Sequence, residues 1–359
     1  MTSGTYYPEQ RHMLPLTLIR RERLLPENAE LRIETVNGAR VSLTDVIARG
    51  AAPAPYKMLD AAAFFRLRRP ELLTNLLAVD IGDLVDRGQT LAERGRRRLY
   101  SPIVAKVVAI EHGRIILQEI AENIELQAGL NGVVVAINRG RGVVIEAFGA
   151  VLQGVWGNNR RVIGVLKMEP AEGLENVFTD SIAMEYRNAI IVTRRPLRAA
   201  SLRAIEAQGL SGVIAPSMET ALIEAVLQSH VAVLLTEGFG AHRMPSTIYQ
   251  FLEDLEGRQA MLDAILPTSG DRRRPEAVVN VPLNTGQRPG APLTNLSLQP
   301  GLPIRVVHAD GSTAFGQVIS LPKTPVMLDN GLRVQCAQVE LLTSERTFVP
   351  LANLEILGR

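Results

Sequence analysis

Apolar positions in this chain fall mostly in short runs, many of them alternating with polar residues, and turn-forming residues separate the runs. Two runs share a core. Residues 105–118 read "AKVVAIEHGRIILQ" and residues 132–146 read "GVVVAINRGRGVVIE", 27 positions apart. Each carries Val-Val-Ala-Ile, two polar residues, Gly-Arg and a further apolar run. Apolar runs broken by a glycine turn predict a β-hairpin, so the chain writes one hairpin twice. Near-continuous Val/Ile strands predict burial on both faces, and both copies are expected in one closed sheet system, with Gly113 and Gly140 at the turns. Upstream, Asn37-Gly38 predicts a hairpin turn, because both positions accept positive φ. The stretch "SLTDVIARG" (42–50) predicts a short helix capped by Ser42 and ended by Gly50. Residues 58–77 predict a helix broken at Pro70.

The rhythm changes near residue 188. "NAIIVT" predicts a buried strand, "RPLRAASLRAIEAQG" a helix ended by Gly209, and "SGVIAP" a second strand. "SMETALIEAVLQSH" follows as a helix with Ser217 at its cap, then "VAVLLTEGFG" as a third strand and loop. "PSTIYQFLEDLEG" predicts a helix ended by Gly257, and "EAVVNVP" a last strand. Strands alternating with helices of about a dozen residues point to βαβ units and a parallel sheet. Residues 280–301 are rich in Pro, Gly, Asn and Thr, which marks a linker. Beyond them, about five short strands are separated by turns near Asp310-Gly311, 329–331 and 344–346.

The expected fold class is therefore α/β and multidomain. A hairpin and helices occupy 1–78, a β domain 79–168, a central parallel α/β sheet domain 185–282, a linker 283–299 and a small β-barrel 300–359.

Residues 79–118 place Gly82-Asp83, Val85 and Gly88-Gln89 before Leu91-Ala92, with Ser101-Pro102 opening a further strand. This pattern resembles the barrel-sandwich hybrid of biotinyl and lipoyl carriers and of related non-carrier domains. A carrier attaches its cofactor to a lysine at a hairpin tip. This chain has "RGRRRLY" there, and Lys106 lies on an apolar strand, so the resemblance implies a non-carrier module. "GVVVAINRG" (132–140) is similar to the amino-terminal region of one subunit of the sodium-pumping NADH:quinone reductases and to its counterpart in related electron-transport complexes. That likeness implies a barrel-sandwich module followed by an α/β domain; the cysteine spacing of an iron–sulfur site and a dinucleotide glycine fingerprint are both missing here. The terminal segment, with Gly301, Val306, Gly316 and Val318, resembles the KOW motif of transcription and ribosomal proteins, which implies an SH3-like barrel.

Composition narrows the setting. The 359 residues are 46% hydrophobic and 21% charged, enough for sizeable cores. Aromatics make up 4%, so aliphatic side chains must do most of the packing. With 39 basic against 37 acidic residues, bulk charge does not call for a polyanionic partner. The basic runs Arg20-Arg21, 94–98 and 272–274 read as solvated loops. The lone cysteine, Cys336, excludes an internal disulfide framework and fits a reducing compartment. The opening residues lack a signal-peptide pattern and no window approaches the length of an apolar membrane span. A soluble cytoplasmic protein is expected.

In an open parallel sheet, ligands bind beyond the carboxyl ends of the strands. Three loops qualify: Thr193-Arg194-Arg195, Pro216-Ser217, and residues 236–244. The third joins Thr236, Glu237, His242 and Arg243 to Gly238 and Gly240, which let backbone approach a ligand. Ser217 at a helix start could hold an anion, with Arg194 and Arg195 adding charge. No two histidines have metal-ligand spacing, and neither a nucleophile elbow nor a phosphate loop is present. No metal, cofactor or catalytic residue is assigned, and an enzyme is not the favoured reading. The leading reading is a non-catalytic scaffold whose α/β domain binds a protein partner or small ligand. The alternatives are a component of a flavin- or quinone-linked electron-transport complex and a KOW-type nucleic-acid-associated factor, the last disfavoured by the near-neutral charge.

Overall fold

The computed structural model of the chain describes residues 6–24, 30–51, 54–120, 123–138, 142–171, 173–174, 186–267 and 273–358. Gly140 and Arg272 lie outside the described residues. In chain order the first strands are β1 (Glu9–Arg11), β2 (Met13–Leu24), β3 (Glu30–Ile33), β4 (Arg40–Val41), β5 (Val46–Ala51) and β6 (Tyr56–Asp60). Helix α1 (Ala61–Phe65) and a 3-10 turn (Pro70–Leu76) precede β7 (Leu84–Val85), β8 (Thr90–Arg94), β9 (Arg97–Tyr100), β10 (Ala105–Glu111) and β11 (Arg114–Glu119). Then come β12 (Asn123–Gln127), β13 (Gly132–Asn138), β14 (Gly142–Gln153), β15 (Trp156–Gly157) and β16 (Arg161–Met168).

The repeated hairpins belong to a larger duplication. β10–β11 and β13–β14 are antiparallel pairs, and each slips register at the matching place, Val107/Ala109 in one and Val134/Ala136 in the other. A third strand flanks each in the same way: Ala105 opposite Val85, and Gly132 opposite Val41. The preceding turns also match. Gly82 donates to Val107 at 2.7 Å and Val107 to Asp83 at 2.8 Å; Gly38 donates to Val134 at 2.8 Å and Val134 to Ala39 at 2.9 Å. β8 pairs with β9 as β5 pairs with β12, again with a slip at the matching position.

One copy is nested inside the other. In the inner copy β8 and β9 are joined by a short turn at Gly95-Arg96, whereas in the outer copy the whole inner unit sits between β5 and β12. Core positions correspond: Leu91 and Ile47, Ala92 and Ala48, Val107 and Val134, and Leu117 and Ile145 are all buried. The cores remain separate, with the inner one formed from residues 59–117 and the outer one joined by Met261 and Val278 from the central sheet.

Several local expectations change here. Residues 42–50 are not a helix. Ser42 and Asp45 form the capping contact, Ser42 N–H to Asp45 Oδ2 at 2.8 Å, but the chain then extends as β5 and pairs with β12 and β3. Of residues 58–77, the first three belong to β6, which pairs with β11. The two hairpins lie in different sheets, and β10 and β13 are only partly buried rather than covered on both faces.

The second half adds β17 (Ala189–Val192), α2 (Ala199–Ala207), β18 (Gly212–Met218), α3 (Ile223–Gln228), β19 (Ala232–Phe239), α4 (Ser246–Glu253), β20 (Gln259–Asp263) and β21 (Glu276–Asn280). Strands β16 to β19 are parallel neighbours. The expectation of a central parallel α/β domain is nevertheless overturned, because the chain is a β-rich fold with 47% strand and 13% helix. The parallel strands are one section of an eleven-stranded mixed sheet that continues through antiparallel β20, β21 and β14 to β13 and β4. The cause is non-local. Twelve-residue β14 gives one edge to β2 and divides the other between β13 and β21, which fuses the outer copy with the parallel section. One face of that section packs on α2 and α3, and the other on α4.

The last strands are β22 (Pro303–Val307), β23 (Thr313–Ser320), β24 (Val326–Met327), β25 (Arg333–Val334), β26 (Cys336–Leu341), β27 (Arg346–Pro350) and β28 (Leu354–Leu357). They form a six-stranded sheet in the order β1-β28-β22-β23-β26-β27, with β24 and β25 pairing separately. This sheet is not built from residues 300–359 alone, since β1 from the other end of the chain pairs parallel with β28. Among the described residues no helix is long and apolar enough to cross a membrane.

Candidate functional site

Strands β17, β18 and β19 end in the residues singled out from the sequence. Ala215 pairs with Leu235 but Ser217 pairs with Gly238, so Thr236 and Glu237 share one step of the ladder. A bulge of this kind re-aims a side chain, and Glu237 turns to the terminal sheet. Its carboxylate pairs with Arg305 and accepts from Thr313 Oγ1 at 2.9 Å. Arg305 also holds Glu355 at 2.6 Å, while Arg11 reaches Glu355 at 3.3 Å and the Thr236 carbonyl at 2.8 Å. The side chains of Glu237, Arg11 and Arg305 are 1%, 2% and 4% exposed. Burial pulls the Arg11 guanidinium down to about 10 despite Glu355. Burial alone would raise the Glu355 carboxyl, but Arg11 and Arg305 outweigh it and hold the group below its ordinary value.

Ser217 lies within β18 rather than at a helix start. Its buried hydroxyl lies 2.9 Å from the Gly240 carbonyl and 2.8 Å from the His242 carbonyl, and its one proton is shared between the two acceptors. The following helix begins later, with a 3-10 turn at Thr220–Leu222. The His242 ring lies against Gly240 and Gly311, where an added Cβ would stand 2.9 Å and 2.7 Å from its Nε2. Arg194 rests 3.9 Å over the Tyr249 ring, and its backbone N–H donates to Glu169 at 2.7 Å. Arg194, Arg195 and Arg243 are exposed. Thr236, Glu237, Gly240 and His242 are thus gathered against the terminal sheet, Ser217 and Gly238 pair beneath them, and the three arginines stay outside.

A second constellation forms on the inner copy. The β8–β9 hairpin packs on the end of α1, where Arg94 donates to the Phe65 carbonyl at 2.8 Å and Arg97 to the Phe64 carbonyl at 3.4 Å. Arg66 ends α1 in the left-handed conformation, φ 52°, and turns the chain back. These contacts bring the end of α1, which leads into Arg66, Arg68 and Arg69, against the hairpin that carries Arg94, Arg96, Arg97 and Arg98. All seven are exposed. Arg98 pairs with Glu93 at 3.4 Å, and among the described residues the other six have no ion pair. Phe64, at the end of α1, is 43% exposed, and Tyr100, opposite Thr90 at the base of the hairpin, is 50% exposed. The signal was in the sequence as two basic runs, 66–69 and 94–98, but only the hairpin-on-helix packing joins them.

Among the described residues no group of three or more His, Cys, Asp or Glu side chains is placed to hold a metal ion. Comparison with known protein families, with curated proteins and with solved structures returned no match.

Proposed function

We propose that the protein is a non-catalytic binding scaffold whose inner copy docks, through its arginine end, on a single-stranded nucleic acid. The observation that carries this reading is the set of six exposed arginines without ion pairs among the described residues, on two segments that the hairpin-on-helix contacts bring together. Like charges held within a Debye length of about 8–10 Å repel one another, and a polyanion relieves that repulsion by releasing its own counterions. All seven cations are arginine. The guanidinium fork grips phosphate in two places and stacks on bases, whereas attraction to a charged membrane surface needs only a point charge. Exposed Phe64, whose carbonyl holds Arg97, supplies a face on which a base can stack. The nested duplication supports, at the level of fold, the likeness to non-carrier barrel-sandwich modules, with Gly95-Arg96 at the tip where a carrier would hold its lysine. The single cysteine, buried in β26, suits a reducing, cytoplasmic setting.

Fluorescence anisotropy with a labelled single-stranded oligonucleotide tests the reading. With about five phosphate contacts the slope of log K against log salt is roughly −3.5, a loss of about 100-fold across a fourfold rise in salt. Replacing Arg96, Arg97 and Arg98 by alanine removes about three contacts and flattens the slope by roughly 2. Absence of binding at low salt, an unchanged slope in the triple variant, or capture by anionic vesicles in place of the oligonucleotide refutes it.

A further inference from the structure

Away from that surface, the outer copy meets the central sheet at a cleft bounded by β2, β16, β20 and β21. The cleft is small, with a cavity volume of about 40 Å³, and it is partly open to solvent. Its charged walls are largely paired: Arg21 is bidentate on Glu276 at 2.5 and 2.7 Å, Arg161 meets Asp263 at 2.7 Å, and Arg274 pairs with Glu9. Arg23 differs. It lines the cleft, is 5% exposed, and among the described residues has no carboxylate partner. Its Nε and Nη2 donate to the Gln127 carbonyl at 3.1 and 2.9 Å, and its Nη1 has only the Met261 sulfur, at 3.8 Å.

Leaving a charge buried and unpaired costs several kcal/mol in general. The chain nonetheless makes room for this one. Gly129, with φ +72°, lies so near that an added Cβ would stand 3.1 Å from the Arg23 Cζ. Beside it, Arg161 Nε and Asp263 Oδ1 are also buried and have no hydrogen-bond partner among the described residues. Arg23 Nη1, held only by a sulfur, and Arg161 Nε, without a partner among the described residues, thus belong to two side chains that line one small cleft, and the chemistry that satisfies both is an oxyanion.

We propose that this cleft binds a small oxyanion, the phosphate or carboxylate group of a metabolite, held by Arg23 Nη1 and Arg161 Nε. The Arg21–Glu276 pair forms a fixed wall of the site, and Asp263 competes with the ligand for Arg161. The test is calorimetric titration of the full-length protein at neutral pH and physiological ionic strength, with inorganic phosphate in one arm and acetate in the other. Saturable binding of either supports the site and identifies the source of the group. Arg23→Met keeps the contact with Met261 and should weaken binding roughly 10- to 100-fold, the equivalent of one charged hydrogen bond. Asp263→Asn removes the competing charge and should tighten it, a gain that damage to the fold cannot imitate. Absence of binding in both arms, equal affinity in folded Arg23→Met, or no gain in Asp263→Asn overturns the proposal.

Discussion

Replacing Glu237 by glutamine tests whether the strand-end cluster holds the central and terminal sheets together. The perturbation removes one charge from a network in which Arg305 is 4% exposed and Glu237 1%. Breaking a buried ion pair by deleting one partner costs roughly 3–5 kcal/mol, because the remaining charge stays buried. Here Arg305 keeps Glu355 at 2.6 Å, which places the loss at the lower end, about 3 kcal/mol. At roughly 2–4 °C per kcal/mol for a unit of this size, the melting transition should fall by about 6–12 °C. The double variant Glu237→Leu with Arg305→Met removes the stranded charge as well. Four atoms of the cluster, Arg11 Nε, Arg305 Nε, Glu237 Oε1 and Thr236 Oγ1, are already buried without partners among the described residues. The intact network is therefore costly, and an apolar pair should recover a good part of the loss. Scanning calorimetry of wild type, both single variants and the double variant reads the coupling directly. A shift below about 2 °C for Glu237→Gln, or strictly additive losses, would show that the sheets are held by packing instead.

The same cluster sets an acid limit. Glu355 titrates below its ordinary value of 4.5, so its contribution is complete above that value and is lost as pH falls through the depressed one. The unfolded chain binds the proton first, hence stability declines on acidification; melting temperatures across that range should decline less steeply in Glu355→Gln, and parallel curves would contradict the assignment. The nesting makes a separate prediction about folding. Ala51 lies opposite Asn123, so replacing residues 52–122 with Asn-Gly should close β5 and β12 as a hairpin and leave the frame folded. The excised inner copy, residues 54–120, should give a cooperative though marginal transition, as expected for a core of about 60 residues; a melt without a transition, or an aggregated frame, would show that the two copies fold only together.

Much of the region from 189 to 257 was legible because its signals are local. The strands at 189 and 232 follow apolar runs, and the helices of 199–207 and 246–253 stop before Gly209 and Gly257, both at positive φ. What failed depended on distant partners. Ser42 and Asp45 make the contact of a helix start, yet pairing with residues 123–127 decides the outcome. Ser217 looked like a cap, but β18 continues to Met218 because Gly238 and Phe239 lie alongside it. The duplication was visible only where both copies kept Val-Val-Ala-Ile. In its other half Gly38 and Gly82, Val41 and Val85, and Ala48 and Ala92 are the matching residues, too few to see without the ladder. The run 94–98 reads as a solvated loop because near-neutral bulk charge averages over the chain, and only the packing of the hairpin on α1 joins it to the run 66–69. The cleft escaped notice for another reason: Arg20, Arg21 and Arg23 share one strand, and nothing in its sequence marks Arg23 as the arginine without a carboxylate.

Duplication followed by nesting explains how one scaffold can serve two ends. The outer copy is fused to the central sheet, since β14 runs on from its hairpin to pair with β21, and Met261 and Val278 complete its core. That fusion covers part of the outer copy's surface, and its seam leaves a small cleft of about 40 Å³ lined by Arg23. The inner copy keeps a core drawn wholly from residues 59–117 and is tied to the frame by two chain passages, after β5 and before β12. Its ends remain open, and one of them carries the arginines. Substitutions in separate cores with no shared partners act nearly independently, so the packing of the outer copy against the central sheet leaves the core and surface of the inner copy unconstrained.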